Sequence, residues 1–148
     1  MKKSLLKTLT VLTGLGWAYH PLLASTYALD PQFDCRSDAH TFITSLKNDR
    51  YINSDPMHVE ANSVNAFRPT HGSELTVFGF RVYMILGFAH DDPLFKMGSG
   101  KAIAGSLYGA VVSGSSETVE TKVREAGSNA VVRQVLPLLL TAIVCEGN

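Results

Sequence analysis

The apolar positions divide this chain into stretches with two different periods. Cys35, Ala39, Phe42, Ile43 and Leu46 recur at helical steps, while Arg36, Asp38, His40, Thr41 and Lys47 take the other side. One stripe of this kind predicts an amphipathic helix. Asp30 can cap its free amides, and Pro31 suits the first helical position, where a missing N–H costs nothing. The helix is expected to end near Asn48. Residues 49–73 are polar and broken by Pro56 and Pro69, leaving room for a short strand at His58–Ala61 or Val64–Arg68. From Thr76 to Phe88 the period changes to two: Phe78, Phe80, Val82, Met84, Leu86 and Phe88 alternate with Val77, Gly79, Arg81, Tyr83, Ile85 and Gly87. That is a strand pattern. Common strands have about 5–6 residues, so a bend or split is expected at Gly79 or Gly87.

Asp91-Asp92-Pro93 turns the chain, and the loop to Ala104 contains Gly98-Ser99-Gly100. Leu107 to Val112 reads as a strand. A second helix follows Gly114-Ser115-Ser116, with Val119, Val123 and Ala126 inward and Gly127 placed to end it. Glu120 and Arg124 form a supporting pair four residues apart. Ala130 to Cys145 is rich in Val, Leu and Ile, and Pro137 divides it into two short strands or one broken strand at a sheet edge. No long alternation of strand and helix appears, which argues against a doubly wound nucleotide fold. The expected fold is α+β: a single domain with a mostly antiparallel β-sheet and two α-helices packed on one face.

Composition fixes the class and the compartment. A chain of 148 residues with 45% hydrophobic residues has room for one domain. Its thirteen basic and thirteen acidic side chains exclude a polybasic nucleic-acid binder. Met1-Lys2-Lys3 and Lys7 make a basic start, Leu9 to Ala18 is an apolar run, and Thr26-Tyr27-Ala28 places small residues one and three back from a cut. This is the order a signal peptidase reads. Residues 1–28 are therefore expected to be a cleaved leader and residues 29–148 the mature domain, with Ala18 and Ala24 as alternative cut positions. The apolar run is about half the roughly 20 residues needed to span a bilayer, which argues against stable membrane insertion after processing. The expected location is the periplasm or the medium of a Gram-negative cell. Loss of the three early lysines leaves ten basic groups against thirteen acidic ones, a net of −3. Cys35 and Cys145 are the only cysteines. In an oxidising compartment the expectation is one disulfide between the two ends of the domain. Free thiols, a redox pair and an intermolecular bridge are the competing readings, and the wide spacing is unlike a Cys-x-x-Cys redox site.

Candidate chemistry is sparse. Gly98-Ser99-Gly100-Lys101 superficially resembles a phosphate loop, but Phe95 stands where its first glycine belongs and Ala102 where its Ser/Thr belongs. The bland reading is a flexible connection. No Gly-x-Ser-x-Gly elbow supplies a nucleophile. His58, Glu60, His71 and His90 are the candidate metal ligands, yet no spacing makes them converge. Asp91 and Asp92 read as solvated turn formers. No catalytic residue and no cofactor are expected. The candidate interface residues are Val77, Tyr83 and Ile85 on the mixed strand face, with Phe95 as an occasional anchor; Tyr108 reads the same way.

Several short runs carry a resemblance: Gly79-Phe80-Arg81-Val82; Pro93-Leu94-Phe95 with Gly98 and Gly100; Tyr108-Gly109 before Val111-Val112; and Ala126-Gly127-Ser128, Val135, Pro137 and Thr141-Ala142-Ile143 before Cys145. The pattern is similar to a family of small secreted proteobacterial proteins described as quorum-sensing-regulated virulence factors. The resemblance implies an exported α+β domain that self-associates, linked to virulence regulation, with no established enzyme activity, cofactor or functional residue. The expectation is a non-enzymatic exported module that binds another protein through a strand edge or the loop from Asp91 to Ala104, with a homodimer as one form. An inhibitor of an envelope-targeting toxin is a version of the same class. A periplasmic metal-binding protein is the alternative from another class.

Overall fold

The computed structural model describes residues 25–147, together with Gly14 and Gly16; the rest of the expected leader lies outside the described residues. The strands are β1 (Ser25–Ala28), β2 (His58–Val59), β3 (Asn65–Phe67), β4 (Ser73–Val77), β5 (Phe80–Phe88), β6 (Ser106–Ser113), β7 (Val131–Leu136) and β8 (Leu140–Gly147). The helices are α1 (Ala39–Asn48) and α2 (Ser116–Glu125). One eight-stranded sheet runs β1-β4-β5-β6-β8-β7, with β3 also on β5 and β2 on β3. All pairings are antiparallel except β1 with β4. Phe42, Ile43 and Leu46 of α1 and Val119 and Val123 of α2 share one core with Ile85, Val112 and Ile143, so both helices cover the same face. This is the α+β arrangement that the two periods require. Cys35 and Cys145 form a disulfide, their Cα atoms 5.1 Å apart, tying the segment before α1 to the last strand.

The first helix is shorter than its stripe predicts. Asp30–Asp34 forms a separate 3-10 turn, and Cys35 leaves it with φ 61°. That left-handed residue stops the helix, and Asp38 caps a new one by accepting from the Thr41 amide at 2.8 Å. Asp30 instead accepts from the Phe78 amide across the fold. The long alternation from Thr76 to Phe88 splits at Phe78–Gly79, both at positive φ. Such paired left-handed residues make the tight turn that joins antiparallel strands, here β4 and β5. Further along β5 the register shifts between Val82 and Met84. The extra residue of a bulge breaks the period of two. Val82 and Ile85 therefore both point into the helix-covered core, and Met84 and Leu86 lie on the opposite face.

Two other details differ from the sequence reading. Ala126 is exposed, because α2 ends at Glu125 and Ala126 is its C-cap rather than a further inward position. The loop from Asp91 to Ala104 is held by hydrogen bonds rather than left as a loose connection. Fully buried Asn65 donates to the Lys96 carbonyl and accepts from the Lys96 amide, while the Gly98 amide donates to the Ser63 hydroxyl. A Cβ on Gly98 would lie 2.0 Å from the Glu60 carbonyl oxygen, so the glycine permits a close backbone approach rather than phosphate binding. Pro137 lies in the turn between β7 and β8, which are two strands; β7 is the edge and β8 is interior.

Candidate functional site

A cavity opens where two strands part. On one edge of β5, β4 pairs with Phe80 and Arg81, and β3 pairs with Ile85, Leu86 and Gly87. Among the described residues, Val82, Tyr83 and Met84 have no strand partner on that edge. A groove of about 470 Å³ lies there, with Arg68, His71, Arg81 and Tyr83 among its lining residues. Arg68 follows directly on β3, and the turn at Phe78–Gly79 sets Arg81 and Tyr83 two apart at the start of β5. Residues two apart on a strand share a face. Tyr83 is 54% exposed. Neither Arg68 nor Arg81 has an acidic partner within 4 Å among the described residues, whereas Lys96, Lys122, Arg124 and Arg133 do.

Glu74 on β4 also lines the groove, so its fixed charge is two guanidiniums against one carboxylate. Thr70 and Ser73 are hydroxyl-bearing lining residues, but their hydroxyls bond each other at 3.0 Å and the Thr70 hydroxyl donates to the Arg50 carbonyl at 2.7 Å. Both are engaged in holding the loop that starts β4. The arrangement can hold an anion and offer main-chain groups to an extended chain; among the described residues no lining hydroxyl is hydrogen-bonded to His71 or Glu74.

Of the interface residues chosen from sequence, only Tyr83 reaches this surface. Val77 and Ile85 are fully buried and Phe95 is 6% exposed, all in the helix-covered core. The bulge at β5 explains Ile85, and Phe95 packs against Phe88. Tyr108 is also buried, with its hydroxyl donating to the Gln32 carbonyl at 2.7 Å; burial raises its pKa above the usual tyrosine value.

The candidate metal ligands are dispersed. His58 pairs with Glu60 at 3.4 Å, His90 bonds the Ile103 carbonyl at 2.6 Å, and His71 sits at the groove. Among the described residues no three His, Cys, Asp or Glu side chains gather as a metal site. Asp91 and Asp92 form the turn, and Asp92 bonds the His40 ring nitrogen at 2.7 Å, bracing α1. Sequence reasoning missed Arg68 as a site residue and Arg81 as its companion. The shared face of Arg81 and Tyr83 was visible in the alternation, but the approach of Arg68 depends on long-range pairing of β3 with β5.

A second exposed feature is the β7–β8 hairpin tip. Leu138 is 82% exposed and Leu139 65%, beside half-exposed Val135 and Leu136. Among the described residues no helix is long and apolar enough to cross a membrane. Comparison with family models, curated proteins and solved structures finds no match for this chain.

Proposed function

We propose that this chain is an exported, non-enzymatic module that takes an extended acidic segment of another protein into the groove between β3 and β4. One observation carries the reading: two arginines without acidic partners line a groove beside an unpaired stretch of strand edge. An added strand gains main-chain hydrogen bonds from such an edge, and side-chain pockets select its sequence. A guanidinium matches a carboxylate in two parallel hydrogen bonds. Tyr83 supplies an aromatic contact of the kind that anchors interfaces. With a net charge of −3 on the processed domain, attraction of an acidic segment depends on this local patch rather than on the whole molecule's field. The resemblance to secreted virulence factors points to a partner in the envelope or the host, and an envelope enzyme held inactive is one form of it.

Calorimetry tests the reading with acetylated hexaglutamate and hexaglutamine as probes. The expected result is binding of the acidic peptide alone, weakening as salt is raised and falling at least about tenfold in the Arg68→Gln/Arg81→Gln variant, a loss of about 1.4 kcal/mol. Equal binding of the neutral peptide, or full affinity in the double variant, would contradict it.

A second reading, self-association, is favoured by the hairpin tip. β7 ends the sheet and has β8 as its only strand partner among the described residues. An edge strand with apolar residues beside it can pair with its counterpart in a second copy.

A further inference from the structure

We infer that the leader is removed between Ala24 and Ser25, four residues earlier than the small-residue pattern alone suggests. This rests on the export reading above. The residues expected to leave last, Ser25–Ala28, are β1, and they pair with Ser73–Thr76 of β4 in continuous parallel register. Tyr27 stacks on Tyr51, ring centroids 4.4 Å apart. The next residue, Leu29, is fully buried in the core, and its amide donates to the Thr76 carbonyl at 2.8 Å.

A cut after Ala28 would place the new α-ammonium on the nitrogen of Leu29. That nitrogen's N–H donates to the Thr76 carbonyl and continues the β1–β4 pairing past Ala28, so the cut would fall inside a hydrogen-bonded segment rather than ahead of it. The same cut would remove β1, open the outer edge of β4 and strip the partner from the Tyr51 ring. A cut after Ala24 avoids these effects. It leaves the chain to begin at the first residue of β1, the end strand of the sheet. The segment before it meets the pattern in part: the apolar run ends at Ala18, Pro21 follows and Ala24 is the small residue beside the bond, while Leu22, three back, is larger than the pattern prefers. A cut after Ala18 would instead fall at the very end of the apolar run. No charged residue lies in 25–28, so the processed charge stays at −3 with either end.

The test is N-terminal sequencing and intact mass of the protein recovered from the periplasm and medium of a Gram-negative host expressing the full chain. The expected product begins at Ser25. A product beginning at Leu29 or at Tyr19 would overturn the inference and leave the export reading intact. A product that keeps the whole leader would overturn both. As an independent arm, a form with the leader joined directly to Leu29 should melt roughly 5 °C or more below the Ser25 form. Equal melting temperatures, or preferential accumulation of the shortened form, would count against β1 as part of the processed domain.

Discussion

Asp38 shows how one residue can redraw an element that periodicity otherwise predicts well. The stripe of Ala39, Phe42, Ile43 and Leu46 was legible, and all four are buried. The start of the helix was not, because Asp30, Asp34 and Asp38 all precede it and the left-handed turn at Cys35 leaves the last of them as the cap. Asp38 accepts from both the amide and the hydroxyl of Thr41. The Thr41 amide is the main reason its carboxyl titrates below the ordinary value of 3.8. A depressed carboxyl contributes stability that is present above the unfolded value, near pH 4, and is lost as pH falls through the folded value. Asp38→Ala should therefore cost about 1 kcal/mol at neutral pH, the usual worth of an N-cap. Asp38→Asn should keep the cap and flatten the fall in stability below pH 4. Chemical denaturation at a series of pH values checks both; an unchanged acid limb in the Asn variant would contradict the assignment.

Among the elements, the strands were legible as hydrophobic periods, and their interruptions were not. A single added residue in β5 moves Ile85 inward and leaves Tyr83 outside, so a face drawn by strict alternation mixes core with surface. The break between β7 and β8 was legible from Pro137, though not their pairing, and the exposed leucines were indistinguishable from core by composition. If the hairpin tip joins two copies, light scattering of the processed protein should give twice the monomer mass. Leu138→Asp/Leu139→Asp should return it to monomer with little loss of thermal stability, since both side chains are already largely exposed. A monomer at all concentrations would remove the self-association reading, and a dimer untouched by the double variant would place its contact elsewhere.

At the scale of the whole molecule, sheet, helices and disulfide agree with what the chain's pattern and its cysteine pair imply. The groove had to wait for the structure, because it exists only where β3 and β4 separate along one edge of β5, and no local spacing encodes that. The disulfide closes a loop with a sequence separation of 110. A closure of that length is worth about 4–5 kcal/mol on the chain-entropy model, and measured native bridges give about 2–5 kcal/mol. Cys35→Ser/Cys145→Ser should lose stability in that range by urea unfolding, with the groove's binding retained wherever the variant remains folded. A loss below about 0.5 kcal/mol would mean that the two ends are held together without the bridge.

The most direct test of the account is an amide chemical-shift map of the nitrogen-15-labelled processed domain as acetylated hexaglutamate is added. The peaks expected to move belong to residues 68, 70–75 and 81–84, and they should stop moving in the Arg68→Gln/Arg81→Gln variant. Shifts confined to the β7–β8 hairpin, or none at saturating peptide, would contradict it.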